Sequence, residues 1–232
     1  MGYARVVSAG VVLCMTATSA WAGPDLFGFS YSDLAFSFDG VSSVQTTARD
    51  VSLGTVYRNT TPAGTAVLLP GLWSGAEDFL ISMTISDLTT TTANGSGSFV
   101  ARDTQGDTIA GSLSGTWSKT QIGGAAFIGT MTDVAYTSAV DHNFDGHLGS
   151  SVSMAFPPTG PWNGTLVQLT APGGWFTDPA GLPRGFSVNG GSIDATVQSP
   201  IIPVPGTLSL ALFGLIGTAG AKRWRKGGVT ER

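Results

Sequence analysis

The chain has 232 residues, of which 11% are charged and 42% are hydrophobic. The hydrophobic content is high enough to build a core, which excludes a disordered chain, and frequent Gly, Thr and Val favour an all-β extracellular domain. Between Gly23 and Ile202, fourteen acidic residues outnumber five basic ones, which leaves this segment nine units negative. A nucleic-acid partner is therefore excluded, because such a surface repels phosphate groups.

The first 22 residues have the organisation of a secretory signal peptide. Arg5 supplies a positive start, and Val6–Ala17 is a charge-free apolar run, shorter than the ~20 residues of a membrane-spanning helix. Ala20 and Ala22 are small residues at the two positions that signal peptidase reads. We therefore predict a signal helix over residues 1–22, cleaved after Ala22 by signal peptidase, in preference to a buried helix or an uncleaved anchor.

Residues 23–199 consist of short runs in which apolar and polar residues alternate, a pattern that predicts β-strands. Pairs that tolerate positive φ angles predict tight turns at Gly123-Gly124, Asn163-Gly164 and Asn189-Gly190. We predict an all-β domain, a single antiparallel meander that closes as a sandwich or as a flattened barrel. The only cysteine, Cys14, leaves with the signal peptide, so the mature domain has no disulfide.

One polar segment contains the best candidate for a metal site. Asp141, Asn143 and Asp145, followed by a glycine, match the opening of a calcium-binding loop, in which several oxygens surround a hard cation. The twelfth position of the loop is Val152, where a bidentate Glu is expected. We therefore favour a polar hairpin tip held by Asx turns. A calcium ion that braces the loop is the alternative.

No arrangement in the sequence identifies a catalytic centre. The mature domain has no cysteine, no Ser in a G-x-S-x-G motif, no HExxH zinc motif and no glycine-rich phosphate-binding motif. His142 and His147, the only histidines, are interpreted as exposed loop residues. Aromatic side chains are the remaining candidates, because they stack on sugar rings when exposed and pack in the core when buried: Trp73, Trp117, Trp162 and Trp175.

The C-terminal segment has the organisation of a membrane anchor. Residues 204–221 carry no charge, and as a helix they would be about 27 Å long, close to the ~30 Å hydrocarbon core of a bilayer. We predict a transmembrane helix over 204–221, in preference to a core helix with a basic end. Four basic residues in 222–226 follow directly, and the positive-inside rule places them in the cytoplasm: Lys222, Arg223, Arg225 and Lys226.

A proline tripeptide precedes this predicted helix. Pro203, Val204 and Pro205 keep the approach to the membrane extended, because each proline lacks an amide hydrogen and restricts the residue before it. The tripeptide, the short apolar helix and the basic cluster together resemble the PEP-CTERM sorting signal of bacterial proteins. Val204 departs from the Pro-Glu-Pro that most members carry. The resemblance, confined to 200–232, implies cleavage by an exosortase-type protease and release to the cell surface or the polysaccharide matrix.

These features together predict a secreted, non-enzymatic β domain over 23–199 that is sorted and processed through its tail. It is anchored transiently in the inner membrane and then lies at the cell surface or in the extracellular matrix, and we expect no cofactor. A carbohydrate-binding module for exopolysaccharide, braced by calcium, is the first alternative. An extracellular hydrolase with a dispersed carboxylate site is the second.

Overall fold

The computed structural model describes residues 24–49, 51–70, 77–121, 123–156 and 160–199. The predicted signal helix and the predicted sorting tail lie outside these ranges, together with Trp73, the processing residues and the membrane-stop residues. Within the ranges, no helical segment combines the length and the apolar character that crossing a bilayer requires.

The described residues form twelve β-strands and one short 3-10 turn, His147–Gly149, which confirms the predicted all-β fold class. The strands pair antiparallel throughout. In chain order they are β1 (Asp25–Phe38), β2 (Ser43–Thr47), β3 (Leu53–Arg58), β4 (Gly64–Leu68), β5 (Asp78–Ser86), β6 (Thr92–Arg102), β7 (Thr108–Lys119), β8 (Ala125–Thr137), β9 (Asn143–Asp145), β10 (Ser151–Ser153), β11 (Trp162–Ala171) and β12 (Phe186–Gln198).

Hydrogen bonding joins the strands into one sheet in the order β12-β11-β8-β7-β6-β5-β2-β1-β3-β4-β10-β9. β12 also pairs with β1, so the eight strands from β12 to β1 form a closed ring. The remaining strands, β3, β4, β10 and β9, form a branch that leaves the ring at β1. Closure protects the ring strands from the open edges that otherwise invite pairing with other chains.

β1 is the strand at which the ring and the branch diverge. Its residues 28–32 pair with β3, whereas its residues 35–38 pair with β2. A β-bulge lies between the two halves, and Asp33 has a φ of 57° there. The buried hydroxyl of Ser52 accepts the Arg49 amide hydrogen and donates to the Asp33 carbonyl, both at 2.8 Å, so it holds the point of divergence together.

The bulges decide which side chains face the interior. Because a strand alternates faces with a period of two, one extra residue moves the buried set from odd to even positions. In β8, a bulge at Asp133 (φ 54°) likewise separates the buried Met131 from the buried Val134. In β1, the side chains that are at most 3% exposed are, on the two sides of the bulge, Phe27, Phe29 and Tyr31, then Leu34, Phe36 and Phe38.

Aromatic rings fill the interior, and glycines on neighbouring strands make room for them. The fully buried Trp117 ring lies 5.1 Å from the Phe127 ring and 5.4 Å from the Phe176 ring. Gly115 and Gly129 face each other on β7 and β8. A Cβ atom at either glycine would lie 2.8 Å from the Phe127 ring, so these small residues are required by the packing of an aromatic side chain.

Two of the three turns predicted from the sequence are wrong, because both residue pairs lie inside strands. Asn163-Gly164 lies inside β11, where a Cβ at Gly164 would come within 2.6 Å of the Met131 side chain, so that glycine serves close packing. Asn189-Gly190 lies inside β12, where the positive φ of Gly190, 83°, accompanies a shift in register against β1. The turn at Gly123-Gly124 is confirmed between β7 and β8, with a φ of 88° at Gly123.

The last strand of the branch, β9, contacts the ring again. β9 ends against the turn between β6 and β7, where the Thr104 amide donates to the Asp145 carbonyl at 3.3 Å. The branch therefore crosses one end of the ring, here called the β9 end, and it contributes Phe144 and Val152 to the core. The turn between β7 and β8 and the segment 172–185 lie at the opposite end.

Candidate functional site

A cavity of about 680 Å³ opens at the β9 end, between the last residues of β8 and the segment that leads from β10 to β11. We call it the aromatic cleft. Its buried lining residues are Met154, Phe156 and Trp162, and its more exposed lining residues include Tyr136, Ser138 and His142.

Three aromatic rings hold the buried side of the cleft in place. The Phe156 ring stacks on the Phe27 ring at 5.6 Å, and the Trp162 ring meets both edge-on, at 5.7 Å and 5.8 Å. The guanidinium of Arg58 lies 4.2 Å above the Phe156 ring and donates to the carbonyls of Ser153 and Ala155. A cation over a ring, with its N–H groups on backbone carbonyls, positions the segment after β10 as one wall of the cleft.

Tyr136 connects the exposed side of the cleft to the core. Its hydroxyl forms a short hydrogen bond with the Asp107 carboxylate and lies 2.8 Å from the Asn143 carbonyl. Burial, aided by the hydrogen bond to Asp107, raises the pKa of Tyr136. The phenol is therefore a neutral hydrogen-bond donor at physiological pH. Asp107 is fully buried and also accepts the amide hydrogen of Ala139, so it joins the start of β7 to the loop after β8.

Asp103 fastens the branch to the ring. Its side chain is fully buried, and its Oδ1 accepts the amide hydrogens of Gln105 and Asp107, at 2.9 Å and 2.8 Å. Its Oδ2 accepts the amide hydrogen of Asp145 in β9, at 2.7 Å. Burial raises the pKa of Asp103, although all three hydrogen bonds act to lower it. One carboxylate thus orders the turn between β6 and β7 and holds β9 against it.

The segment predicted as a calcium loop is a polar loop beside the cleft. Asp141 forms an Asx turn, since its Oδ1 accepts the Asn143 amide hydrogen and its Oδ2 accepts the Asn143 side-chain amide, both at 2.9 Å. The side-chain bond to Asn143 is the main cause of the lowered pKa of Asp141. Asp145 instead accepts a hydrogen bond from the Gln105 side chain. Among the residues that the structure describes, no three His, Cys, Asp or Glu side chains are grouped to hold a metal, and the calcium site stays a prediction.

This loop also brings one of the two histidines to the cleft. His142 is exposed, has a φ of 65°, and donates its amide hydrogen to the Ser138 hydroxyl at 3.0 Å. His147 lies in the 3-10 turn and is partly buried, away from the cleft lining. The prediction of two exposed loop histidines therefore holds for His142 only.

The tryptophans do not form an exposed stacking surface within the part of the chain described. Trp117 is completely buried, Trp162 is 2% exposed and Trp175 is 7% exposed. Trp117 belongs to the core, and Trp162 reaches only the inner wall of the cleft. Of the two interpretations, packing in the core therefore holds for these three residues, and they do not supply the row of exposed tryptophans that the carbohydrate-binding alternative needs.

The carboxylates of Glu77 and Asp78 lie apart from the cleft. Glu77 is buried, which raises its pKa, and its Oε2 accepts the Leu69 amide hydrogen at 2.5 Å. Asp78 is exposed and caps the amide of Phe79. Among the described residues, the aromatic cleft is lined by no carboxylate.

Comparisons of the chain with protein-family models, with curated proteins and with solved structures gave no match.

Replacement of Asp103 by Asn tests the fastening of the branch. Asn keeps one acceptor oxygen but places an amide group where Oδ2 accepts a backbone N–H, so one buried donor loses its partner. We expect Asp103→Asn to lower the free energy of unfolding by about 1–3 kcal/mol and the Tm by several degrees, as measured by thermal unfolding followed by circular dichroism.

Asp133→Asn is the matched control, because this exposed residue has a positive φ that Asn tolerates well. Both variants remove one negative charge. Equal Tm values for the two variants would show that the Asp103 carboxylate does not fasten the branch.

Proposed function

We propose that the protein is an exported, non-enzymatic β-domain protein of the bacterial cell surface or extracellular matrix, sorted and processed through its C-terminal tail. The signal-peptide pattern and the resemblance of residues 200–232 to a PEP-CTERM signal support export and sorting. The fold supports the proposal through the pairing of the first strand of the domain with the last.

The first and last strands of the domain pair with each other. Asp25, at the start of β1, lies opposite Gln198, at the end of β12, and the Ser199 amide donates to the Pro24 carbonyl at 3.0 Å. The two end strands of the described domain are therefore hydrogen-bonded to each other within residues 24–199. Cleavage after Ala22 and at the proline tripeptide would remove both addressing segments and leave every ring strand in its sheet. This pairing is the observation that carries the proposal.

The buried carboxylates support a structural role for the acidic residues of the domain. Asp103 and Asp107 each accept backbone amide hydrogens from fixed turns, and Glu77 accepts one from Leu69. Such hydrogen-bonded carboxylates hold loops in place in a domain that has no disulfide.

Expression in a host with an exosortase and in a strain that lacks it tests the processing. In the exosortase host we expect a released protein whose mass ends near Pro203–Pro205, whereas the deletion strain retains the tail and keeps the protein in the membrane fraction. Val204→Glu, which restores the Pro-Glu-Pro sequence, should be processed at least as completely as the wild type. Identical C-terminal masses from both strains would contradict the proposed processing.

The aromatic cleft favours carbohydrate binding as a second candidate function. Its buried side offers aromatic and apolar surface for the C–H face of a sugar ring, and its exposed side offers the hydroxyls of Tyr136 and Ser138 and the imidazole of His142 for sugar hydroxyls. The predicted calcium loop contains His142, so an ion bound there would brace one wall of the cleft.

Titration of the processed protein with oligosaccharides of the host matrix, followed by tryptophan fluorescence, tests this candidate. We expect saturable binding that His142→Ala weakens by about 2- to 10-fold through the loss of a hydrogen bond, and that a chelator also weakens. Thr130→Ala, an exposed change on β8 outside the cleft, is the control. No binding at millimolar sugar would contradict the candidate, and binding that is indifferent to chelator would contradict its calcium part.

A further inference from the structure

A second cavity, of about 260 Å³, lies at the opposite end of the ring from the aromatic cleft. It opens between the turn joining β7 to β8 and the segment 172–185. We call it the cationic pocket, and the residues that matter in its lining are Lys119, Arg184, Trp175, Thr177 and Phe186.

The backbone fixes the positions of both cations. Lys119 is the last residue of β7, and its amide donates to the Thr91 carbonyl at 2.9 Å. Arg184 closes a small hairpin, in which its amide donates to the Phe176 carbonyl at 2.8 Å and Thr177 pairs with Pro183. The two side chains therefore line the same pocket from the end of β7 and from the segment between β11 and β12.

The concentration of positive charge here is unusual for this domain. Only five basic residues occur between positions 23 and 202, against fourteen acidic ones, and two of the five line this one pocket. Both are exposed, and neither side chain forms an ion pair or a hydrogen bond with any described residue. Arg58 differs, because its guanidinium is buried and bonded to carbonyl groups.

The acidic residues on the neighbouring loops are occupied in shaping their own turns. The Oδ1 atom of Asp178 accepts the amide hydrogens of Ala180 and Leu182, both at 2.9 Å. The Oδ1 atom of Asp39 accepts three amide hydrogens from the residues that lead into β2, which lowers the pKa of Asp39. Neither carboxylate forms an ion pair with Lys119 or Arg184 in the described part of the chain, so both cations are available to a ligand.

Two further lining residues carry polar atoms without partners. Trp175 and Thr177 are each 7% exposed, and neither the indole N–H nor the threonine hydroxyl has a hydrogen-bond partner among the described residues. Buried polar groups are nearly always hydrogen-bonded in native proteins. Both atoms are also closed off from solvent, so these two residues form the buried part of the pocket.

We propose that the cationic pocket binds one carboxylated sugar unit of an anionic polysaccharide. Arg184 pairs with the carboxylate in a planar, two-pronged arrangement and Lys119 adds a point charge, while the partly exposed Phe186 offers aromatic surface to the ring. The volume is below the ~300–1,000 Å³ of sites for drug-sized molecules, which suits a single ring. The pocket depends neither on the aromatic cleft nor on the sorting tail.

Calorimetric titration of the processed protein with a uronic-acid trisaccharide tests the proposal, with the neutral trisaccharide of the same linkage and sodium sulfate as the other two ligands. We expect the uronate to bind, the neutral sugar to bind at least tenfold more weakly, and sulfate to compete only at high concentration. Arg184→Gln should weaken uronate binding by about 10- to 100-fold, as the loss of a charged hydrogen bond does.

Arg102→Gln is the control, because Arg102 is exposed at the β9 end of the ring and its replacement changes the net charge by the same amount. Lys119→Gln provides a second variant if Arg184→Gln unfolds at a lower temperature than the wild type. Equal binding of the neutral and acidic sugars, equal losses in the Arg184 and Arg102 variants, or sulfate binding as tight as uronate binding would each overturn the proposal.

Discussion

The buried carboxylate of Asp103 is the contact on which the closed end of this domain depends. It accepts backbone amide hydrogens from its own turn and from Asp145 in β9, forty-two positions along the chain. Desolvation opposes this arrangement and raises the pKa of Asp103, and the charged hydrogen bonds offset part of that cost. Without it β9 would keep its hydrogen bonds to Thr104, Gln105 and Tyr136 but would lose the bond to a buried carboxylate. The loop that supplies His142 to the aromatic cleft would then be held less firmly.

Closure of the ring determines how the domain is held together once its flanking segments are removed. A domain without disulfides is held by its core and its hydrogen bonds, and the pairing of β1 with β12 joins the two ends of the described domain, between residues 24 and 199. We propose that the flanking segments serve as removable addresses. The domain has two different candidate binding sites at opposite ends: an aromatic cleft with a polar side, and a small pocket with two cations.

The alternation of residues predicted the all-β fold, since in runs such as Thr108–Lys119 the buried Ile109, Leu113 and Trp117 share one face with Gly111 and Gly115. The bulges were not predicted, because one extra residue at Asp33 or Asp133 leaves no local signal apart from a residue type that tolerates positive φ. The turn predicted at Asn163-Gly164 was wrong because the glycine there serves a packing contact inside a strand. The Asp141 Asx turn was predictable because its partner is two residues away, whereas Arg58 binds a carbonyl ninety-five residues away.

Amide hydrogen exchange at Asp145 tests the central role of Asp103 most directly. If the Asp103 carboxylate holds β9 against the ring, the Asp145 amide exchanges only when the whole domain unfolds, at the rate of the slowest amides of β6 and β7. The Gly149 amide, at a positive φ in the neighbouring exposed turn, exchanges rapidly in the same experiment. Exchange of the Asp145 amide at the rate of Gly149 would contradict the account.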